Sequence, residues 1–136
     1  MSIKQLANLD DATARLLSET AGMLLCAGRD VHVYHLLSAD HAEHVVLGEV
    51  YELCISAADR ISEESLGSDY VLHVDALQAT TYVNNALAPY DYLTQMLLRL
   101  RGTLSAVGPD VPISNTIADL IGQFTQKRFL LKLTAT

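Results

Sequence analysis

The sequence of 136 residues is poor in the residue types that mark several protein classes. It has two cysteines, no tryptophan, and nine lysines and arginines against sixteen aspartates and glutamates, for a net charge of −7. Nucleic-acid-binding proteins generally carry a basic stripe that neutralises phosphates, so a nucleic-acid partner is disfavoured. Lys127, Arg128 and Lys132 form the one candidate basic patch, and we interpret them as cations that complement the dipole at the end of a helix.

Long hydrophobic runs are also missing. Half of the residues are hydrophobic, yet no run approaches the ~18 apolar residues of a membrane-spanning helix. The N-terminal stretch MSIKQLANLDD lacks the features of a secretory signal. Cys26 and Cys54 occupy apolar helical positions, which favours buried thiols over a disulfide. We therefore expect one soluble, cytoplasmic domain over residues 1–136 with no membrane partner.

Common catalytic motifs are absent as well. The chain contains no Gly-rich phosphate loop, no Gly-x-Ser-x-Gly elbow, no Cys-x-x-Cys pair and no His-Glu-x-x-His motif. It also lacks the Glu-x-x-His pairs that build a di-iron centre inside a single helical bundle. A metal, if bound, is therefore expected outside the core, between subunits.

The segment from His32 to Glu64 contains four of the five histidines. Ser38-Ala39-Asp40 interrupts its helical pattern, and Asp40 with Glu43 three residues later has the spacing of a capping box. The segment therefore predicts one helix that ends near Leu37 and a second that starts near His41.

The second helix has two distinct faces when its residues are placed at about 100° intervals. An apolar stripe predicted to face the core comprises Val46, Leu47, Val50, Leu53, Cys54, Ala57, Ala58 and Ile61. A polar arc comprises His41, His44, Gly48, Glu52, Ser56, Asp59 and Glu63. Imidazoles and carboxylates on one surface suit a borderline divalent metal such as iron or zinc. A polar arc is also typical of any solvated helix, so both interpretations stay open.

The remaining pattern predicts four amphipathic helices, which is an all-α fold. The first starts after Asp10 and Asp11, and its Gly22 and Gly28 indicate either close helix approach or a bend. The second ends at Gly67.

A long connection with one short helix follows, and we expect its His73 and Asp75 to lie on the surface and not to bind metal. The third helix covers residues 88–108, and Pro89 is suited to its first turn. The fourth is expected to be capped by Ser114 or Asn115 and to continue to the tail.

Several of these residues resemble a known family. The pair Tyr34-His35, the stretch AEHVVLGEVY over residues 42–51, then Asp59 and Glu63, and a last helix ending KRFLLKL are similar to Dps-type miniferritins. They resemble most the small Dps-like proteins of bacteriophage genomes. The resemblance implies a ferritin-like four-helix bundle with a long connection between helices two and three. It also implies a homo-oligomer, as a dimer or a dodecamer-like shell.

In this family, iron is oxidised at a site between two subunits. The resemblance implies that His35 and His44 of one subunit bind iron together with Asp59 and Glu63 of the other. The aspartate expected one turn after His44 is Gly48 here, so Glu52 or His41 would have to substitute for it. The turn before His44 is also shorter than in the family, Leu36 stands in place of a tryptophan, and the lysine-rich DNA-binding arm is missing.

Two hypotheses of function follow. In the first, the chain is a miniferritin that binds, oxidises and stores iron, with Tyr51 as a nearby phenol. In the second, it is a non-enzymatic phage helical protein, a virion component or a binder of a host protein, that kept the fold and lost the chemistry. DNA compaction is disfavoured by the charge of the chain.

Overall fold

The chain is described by a computed structural model that covers residues 3–108 and 110–134, with side chains described for 11–108, 110 and 112–134. It contains four long helices and one short helix, and the described residues form no strand. The helices are α1 (Ile3–Leu37), α2 (His41–Gly67), α3 (Val74–Leu77), α4 (Pro89–Ala106) and α5 (Val111–Thr134). The predicted all-α class is confirmed.

The boundary between the first two helices lies where the sequence predicts it. α1 ends at Leu37 and α2 begins at His41. The Asp40 carboxylate accepts a hydrogen bond of 2.8 Å from the Glu43 backbone N–H, which caps α2. Ser38 donates from its hydroxyl to the Glu43 carboxylate at 2.7 Å, so the turn is fixed on both sides.

Two other predictions about helix ends were wrong. α1 begins at Ile3, so Asp10 and Asp11 lie inside the helix and do not precede it. α5 begins at Val111, ahead of Ser114 and Asn115, and the Asp110 carboxylate accepts a bond of 3.4 Å from the Ile113 N–H.

At the other end of α2, Gly67 is the last helical residue, as predicted. Among the described residues, Asp69 has a positive φ of 66°, and aspartate tolerates this backbone region better than most residues.

Each long helix packs against two others. α1 contacts α2 and α4, and α5 contacts the same two helices. Their apolar stripes meet in one core, which includes the predicted α2 residues Leu47, Val50, Cys54, Ala57, Ala58 and Ile61. Thr20 of α1 and Thr103 of α4 share a buried hydrogen bond of 2.8 Å within it.

The connection between α2 and α4 contains the predicted short helix, α3, which packs against α1. A Cβ at Gly22 would stand 2.2 Å from the Ala76 carbonyl oxygen, so this glycine permits close approach between α1 and the connection. Asp75 pairs with Arg15 at 2.9 Å, and His73 faces Asp11 at 3.1 Å. No described helix is long and apolar enough to cross a bilayer.

Candidate metal centre

Two of the predicted ligands meet where α1 ends and α2 begins. The rings of His35 and His44 are stacked, with centroids 3.8 Å apart and planes 20° from parallel. The short turn over residues 38–40, fixed by the Asp40 cap, turns the chain back so that α2 runs beside α1. The structure therefore brings His35 and His44 together.

Each imidazole is hydrogen-bonded to the backbone of the other residue. The Nδ1 atom of His35 lies 2.6 Å from the His44 carbonyl oxygen, and the Nδ1 atom of His44 lies 2.7 Å from the His35 carbonyl oxygen. A carbonyl oxygen can only accept, so each Nδ1 must carry the proton. The neutral rings then hold their lone pairs on Nε2, the atom that would bind a metal.

The His35 carbonyl is available for this bond because it belongs to the last turn of α1. The last four carbonyls of a helix have no partner within the helix. His44 supplies the partner for one of them and so contributes to ending α1 as well as to the site.

Two further rings extend this arrangement. His32 stacks on Tyr51 with centroids 4.4 Å apart, and Tyr51 is also 5.6 Å from the His35 ring. We call His32, His35, His44 and Tyr51 the histidine cluster. It reaches the surface, since His32 is exposed and the other three side chains are half-buried.

Gly48 lies directly against the histidine cluster. A Cβ at this position would be 3.0 Å from Cε1 and 3.2 Å from Nδ1 of His35. The His35 ring therefore occupies the space that a larger side chain at position 48, such as an aspartate, would use. His35 can stack on His44 because position 48 has no side chain. The sequence alone does not reveal this connection.

The predicted carboxylates lie elsewhere on the same helix. Asp59 and Glu63 are one turn apart, but Asp59 is 15 residues from His44, which is about 22 Å along a helix axis. They line an open groove on α2, together with Tyr51, Glu52, Ile55, Ser56, Arg60 and Glu64. Within the side chains that the structure describes, no three histidine, cysteine, aspartate or glutamate residues come close enough to hold a metal. In one chain, the two histidines and the two carboxylates therefore form two separate groups on α2 and the end of α1.

The other two predicted ligands are exposed on the same helix. His41 is exposed one turn before His44, and Glu52 is exposed about midway between His44 and Asp59. Arg60 pairs with Asp119 at 2.7 Å and with Glu64 at 3.7 Å. Among the described ion pairs, none involves Asp59 or Glu63, so both carboxylates are available to an external cation.

The two thiols are buried and lie outside the histidine cluster. Cys54 is fully buried and burial raises its pKa far above the ordinary range, while burial also raises the pKa of Cys26. Cys26 donates to the Ala79 carbonyl oxygen at 2.8 Å. Both are free and buried, as the sequence predicts.

The candidate basic patch near the C-terminus is mostly occupied by contacts inside the chain. Lys127 pairs with Glu49 at 2.6 Å, and Arg128 donates to the Thr94 hydroxyl at 3.2 Å and lies over the Tyr90 ring. Lys132 is exposed in the last turn of α5.

Comparisons with known proteins give no assignment. No protein-family model matches the chain, and no curated protein matches it.

Proposed function

We propose that the chain is a Dps-like miniferritin, a ferritin-like four-helix bundle whose copies pair to bind and oxidise iron at sites between subunits. The observation that carries the proposal is the reciprocal bonding of His35 and His44. Each ring keeps its proton on Nδ1 and donates it to the carbonyl oxygen of the other residue. Metal-binding histidines typically donate their second ring N–H in this way, because the bond sets the tautomer and the ring orientation.

A second copy can supply the carboxylates that the histidine cluster lacks. If two α2 helices pair antiparallel about a two-fold axis near Glu52, His44 of each copy faces the Asp59–Glu63 turn of the other. In the same arrangement Gly48 faces Ser56, and these small residues permit close approach of the two helices. The pairing joins two half-sites into one site at each end of the helix pair.

Exposed apolar side chains at the end of α1 and on α2 support such pairing. Leu36 of α1 is 64% exposed, and Ile55 and Leu66 of α2 are 41% and 55% exposed. On a helical wheel, Ile55 and Leu66 share the face of α2 that carries His44, Gly48 and Asp59. A partner helix on this face would remove these side chains from water, which favours association.

Iron is the substrate in this proposal. Imidazoles and carboxylates together suit Fe(II), which gives up an electron to dioxygen or peroxide. The chain holds the ligands in one tautomer, presents Asp59 and Glu63 without competing cations, and contributes the negative charge of an acidic surface. Such an oligomer would act in the cytoplasm, or in the virion if the chain is viral.

The first test measures oligomer mass and iron binding in the same sample. Light scattering after size exclusion, followed by anaerobic Fe(II) loading, should show a dimer or larger shell with one or two irons per site. His44→Ala should reduce Fe(II) oxidation about 100-fold, as expected for loss of a metal ligand or its close support. His73→Asn is the matched control, since it removes a histidine away from the cluster and should leave oxidation unchanged.

A complementation experiment tests whether the site is shared. Inactive His44→Ala and inactive Asp59→Asn chains are mixed, unfolded and refolded together. Random pairing yields mixed dimers with one intact site, so about a quarter of the wild-type activity should return. No recovery, in mixtures shown to contain mixed dimers, would contradict a shared site.

The glycine at position 48 favours a second candidate, a non-enzymatic helical protein that serves as a virion component or binds a host protein. The His35 ring fills the place of the missing carboxylate and itself stabilises the junction of α1 and α2. In that case the oligomer should remain metal-free after incubation with Fe(II) or Zn(II), and His44→Ala should reduce stability only.

A further inference from the structure

Two clefts meet at Arg99, on α4 and away from the histidine cluster. The larger cleft has a volume of about 310 Å³ and lies between α4 and the end of the connection. Its lining consists of Tyr82, Val83, Asn84, Leu87, Gln95 and Arg99. A smaller cleft of about 220 Å³ continues from Arg99 between α4 and α1. The larger volume is at the lower end of the range for pockets that bind small molecules.

Arg99 lies over an aromatic ring but has no carboxylate partner among the described side chains. Its guanidinium lies 5.4 Å from the centroid of the Tyr82 ring, and the Tyr82 hydroxyl donates to the Ala76 carbonyl oxygen at 2.7 Å, which fixes that ring. Among the described side chains, no carboxylate lies within ion-pair distance of Arg99, whereas Arg15 and Arg60 each pair with two.

The amide groups in the larger cleft add hydrogen-bond donors. The Asn84 side-chain oxygen accepts from the Ala86 N–H at 2.9 Å, so the Asn84 NH₂ group remains as a donor. Gln95 lies one helical turn before Arg99 and lines the same cleft. Arginine and amide donors beside the apolar side chains of Val83 and Leu87 match a carboxylate group on a compact apolar body.

We propose that this cleft binds a small organic carboxylate. The carboxylate accepts from the Arg99 guanidinium and from the side-chain amides of Asn84 and Gln95, while its apolar part packs against Val83, Leu87 and the Tyr82 ring. The site is independent of iron binding, since no residue of the histidine cluster contributes to it.

The proposal is tested by titrating ¹⁵N-labelled protein with benzoate and, separately, with inorganic phosphate. Benzoate should shift the side-chain amide signals of Asn84 and Gln95 and the Nε signal of Arg99 in a saturable way. Arg99→Gln should weaken benzoate binding at least 10-fold. Arg101→Gln, on the same helix but outside both clefts, is the matched control and should leave binding unchanged.

A second variant separates loss of the site from loss of the fold. Gln95→Glu places a carboxylate one turn before Arg99, where it favours the helix by pairing with the arginine and repels an anionic ligand. The variant should be at least as stable as the wild type and should not bind benzoate. Unchanged benzoate binding in Arg99→Gln or Gln95→Glu would overturn the proposal, as would tighter binding of phosphate than of benzoate at the same residues.

Discussion

The two sides of α1 are joined to their neighbours by different kinds of contact. On the side of the connection, Arg29, Cys26 and Tyr34 donate to backbone carbonyls of residues 79–87, and Gly22 abuts the Ala76 carbonyl. On the side of α2, His35 and His44 exchange hydrogen bonds with each other's backbone and stack their rings.

The two sets of contacts differ in whether they leave a nitrogen atom with a free lone pair. The bonds on the connection side leave no metal-binding nitrogen, whereas each imidazole on the α2 side uses one nitrogen and leaves the other with its lone pair. Both sets of contacts join α1 to its neighbours, but only the second leaves ring nitrogens that could bind iron at the proposed site. Substitutions on the connection side should therefore change stability, and substitutions on the α2 side should change metal binding.

The largest change in stability is expected for Gly22→Ala. The new Cβ would lie 2.2 Å from the Ala76 carbonyl oxygen, a backbone atom that moves only if α3 moves. We expect the free energy of unfolding to fall by about 2 kcal/mol, the cost of overpacking after the helix propensity gained by alanine is subtracted. Urea denaturation measures this.

Gly102→Ala is the matched control for that measurement. Gly102 lies inside α4, and a Cβ added there would meet no neighbouring atom within 4 Å. The free energy of unfolding should rise by about 0.5–1 kcal/mol in this variant. Equal effects of the two substitutions would show that the contact between α1 and the connection is not tight.

A smaller loss is expected for Tyr34→Phe. The Tyr34 hydroxyl lies 2.8 Å from the carbonyl oxygens of both Asn85 and Leu87, and loss of this bond should lower the free energy of unfolding by about 1 kcal/mol. Iron oxidation should not change. Normal stability of the variant would mean that this bond does not fasten the connection to α1.

The same tyrosine predicts a dependence on pH. Burial, followed by the nearby charge of Asp30, raises the pKa of Tyr34. The unfolded chain releases the phenolic proton near pH 10 while the folded chain retains it, so the free energy of unfolding should fall as the pH rises above about 10. Urea titrations between pH 8 and 11 should show a smaller fall in Tyr34→Phe.

The smallest change in stability is expected for Gly48→Ala, where the change in metal binding should be large. The new Cβ would press on Cε1 of His35 at 3.0 Å and displace the ring from the His44 carbonyl. Iron affinity should fall about 10-fold, as for loss of a hydrogen bond that supports a ligand. The free energy of unfolding should change by less than about 1 kcal/mol, because alanine favours the helix. A variant that loses stability but keeps its iron affinity would assign Gly48 to the fold alone.

Much of the fold could be predicted because helix caps and the spacing of apolar residues depend only on residues close together in the sequence. Ser38-Ala39-Asp40 ends one helix and caps the next, and the apolar stripe of α2 faces the core as its spacing predicts. The start of α5 was mispredicted because Asp110, Ser114 and Asn115 all suit an N-cap, and the sequence does not rank them. Residues 3–10 could not be recognised as helical because the acidic pair Asp10-Asp11 suggested a start.

The candidate site could be predicted only in part, because its geometry depends on tertiary packing. That His35 and His44 would lie close together follows from the short turn between the helices. The hydrogen bonds that each ring makes to the other residue's backbone could not be predicted from that turn. They require particular ring rotations beside Gly48. Whether Asp59 and Glu63 join them depends on a second chain, because both are far along the helix from His44.

The crossed bonds of His35 and His44 also make the junction observable by spectroscopy. Imidazole N–H protons usually exchange with water too fast to detect, but protons held between a ring nitrogen and a carbonyl oxygen at 2.6 and 2.7 Å are shielded from exchange. They should appear as two downfield signals in a ¹H–¹⁵N spectrum of the imidazole region. These two signals would report on the tautomer of both histidines at the junction of α1 and α2 without any added probe.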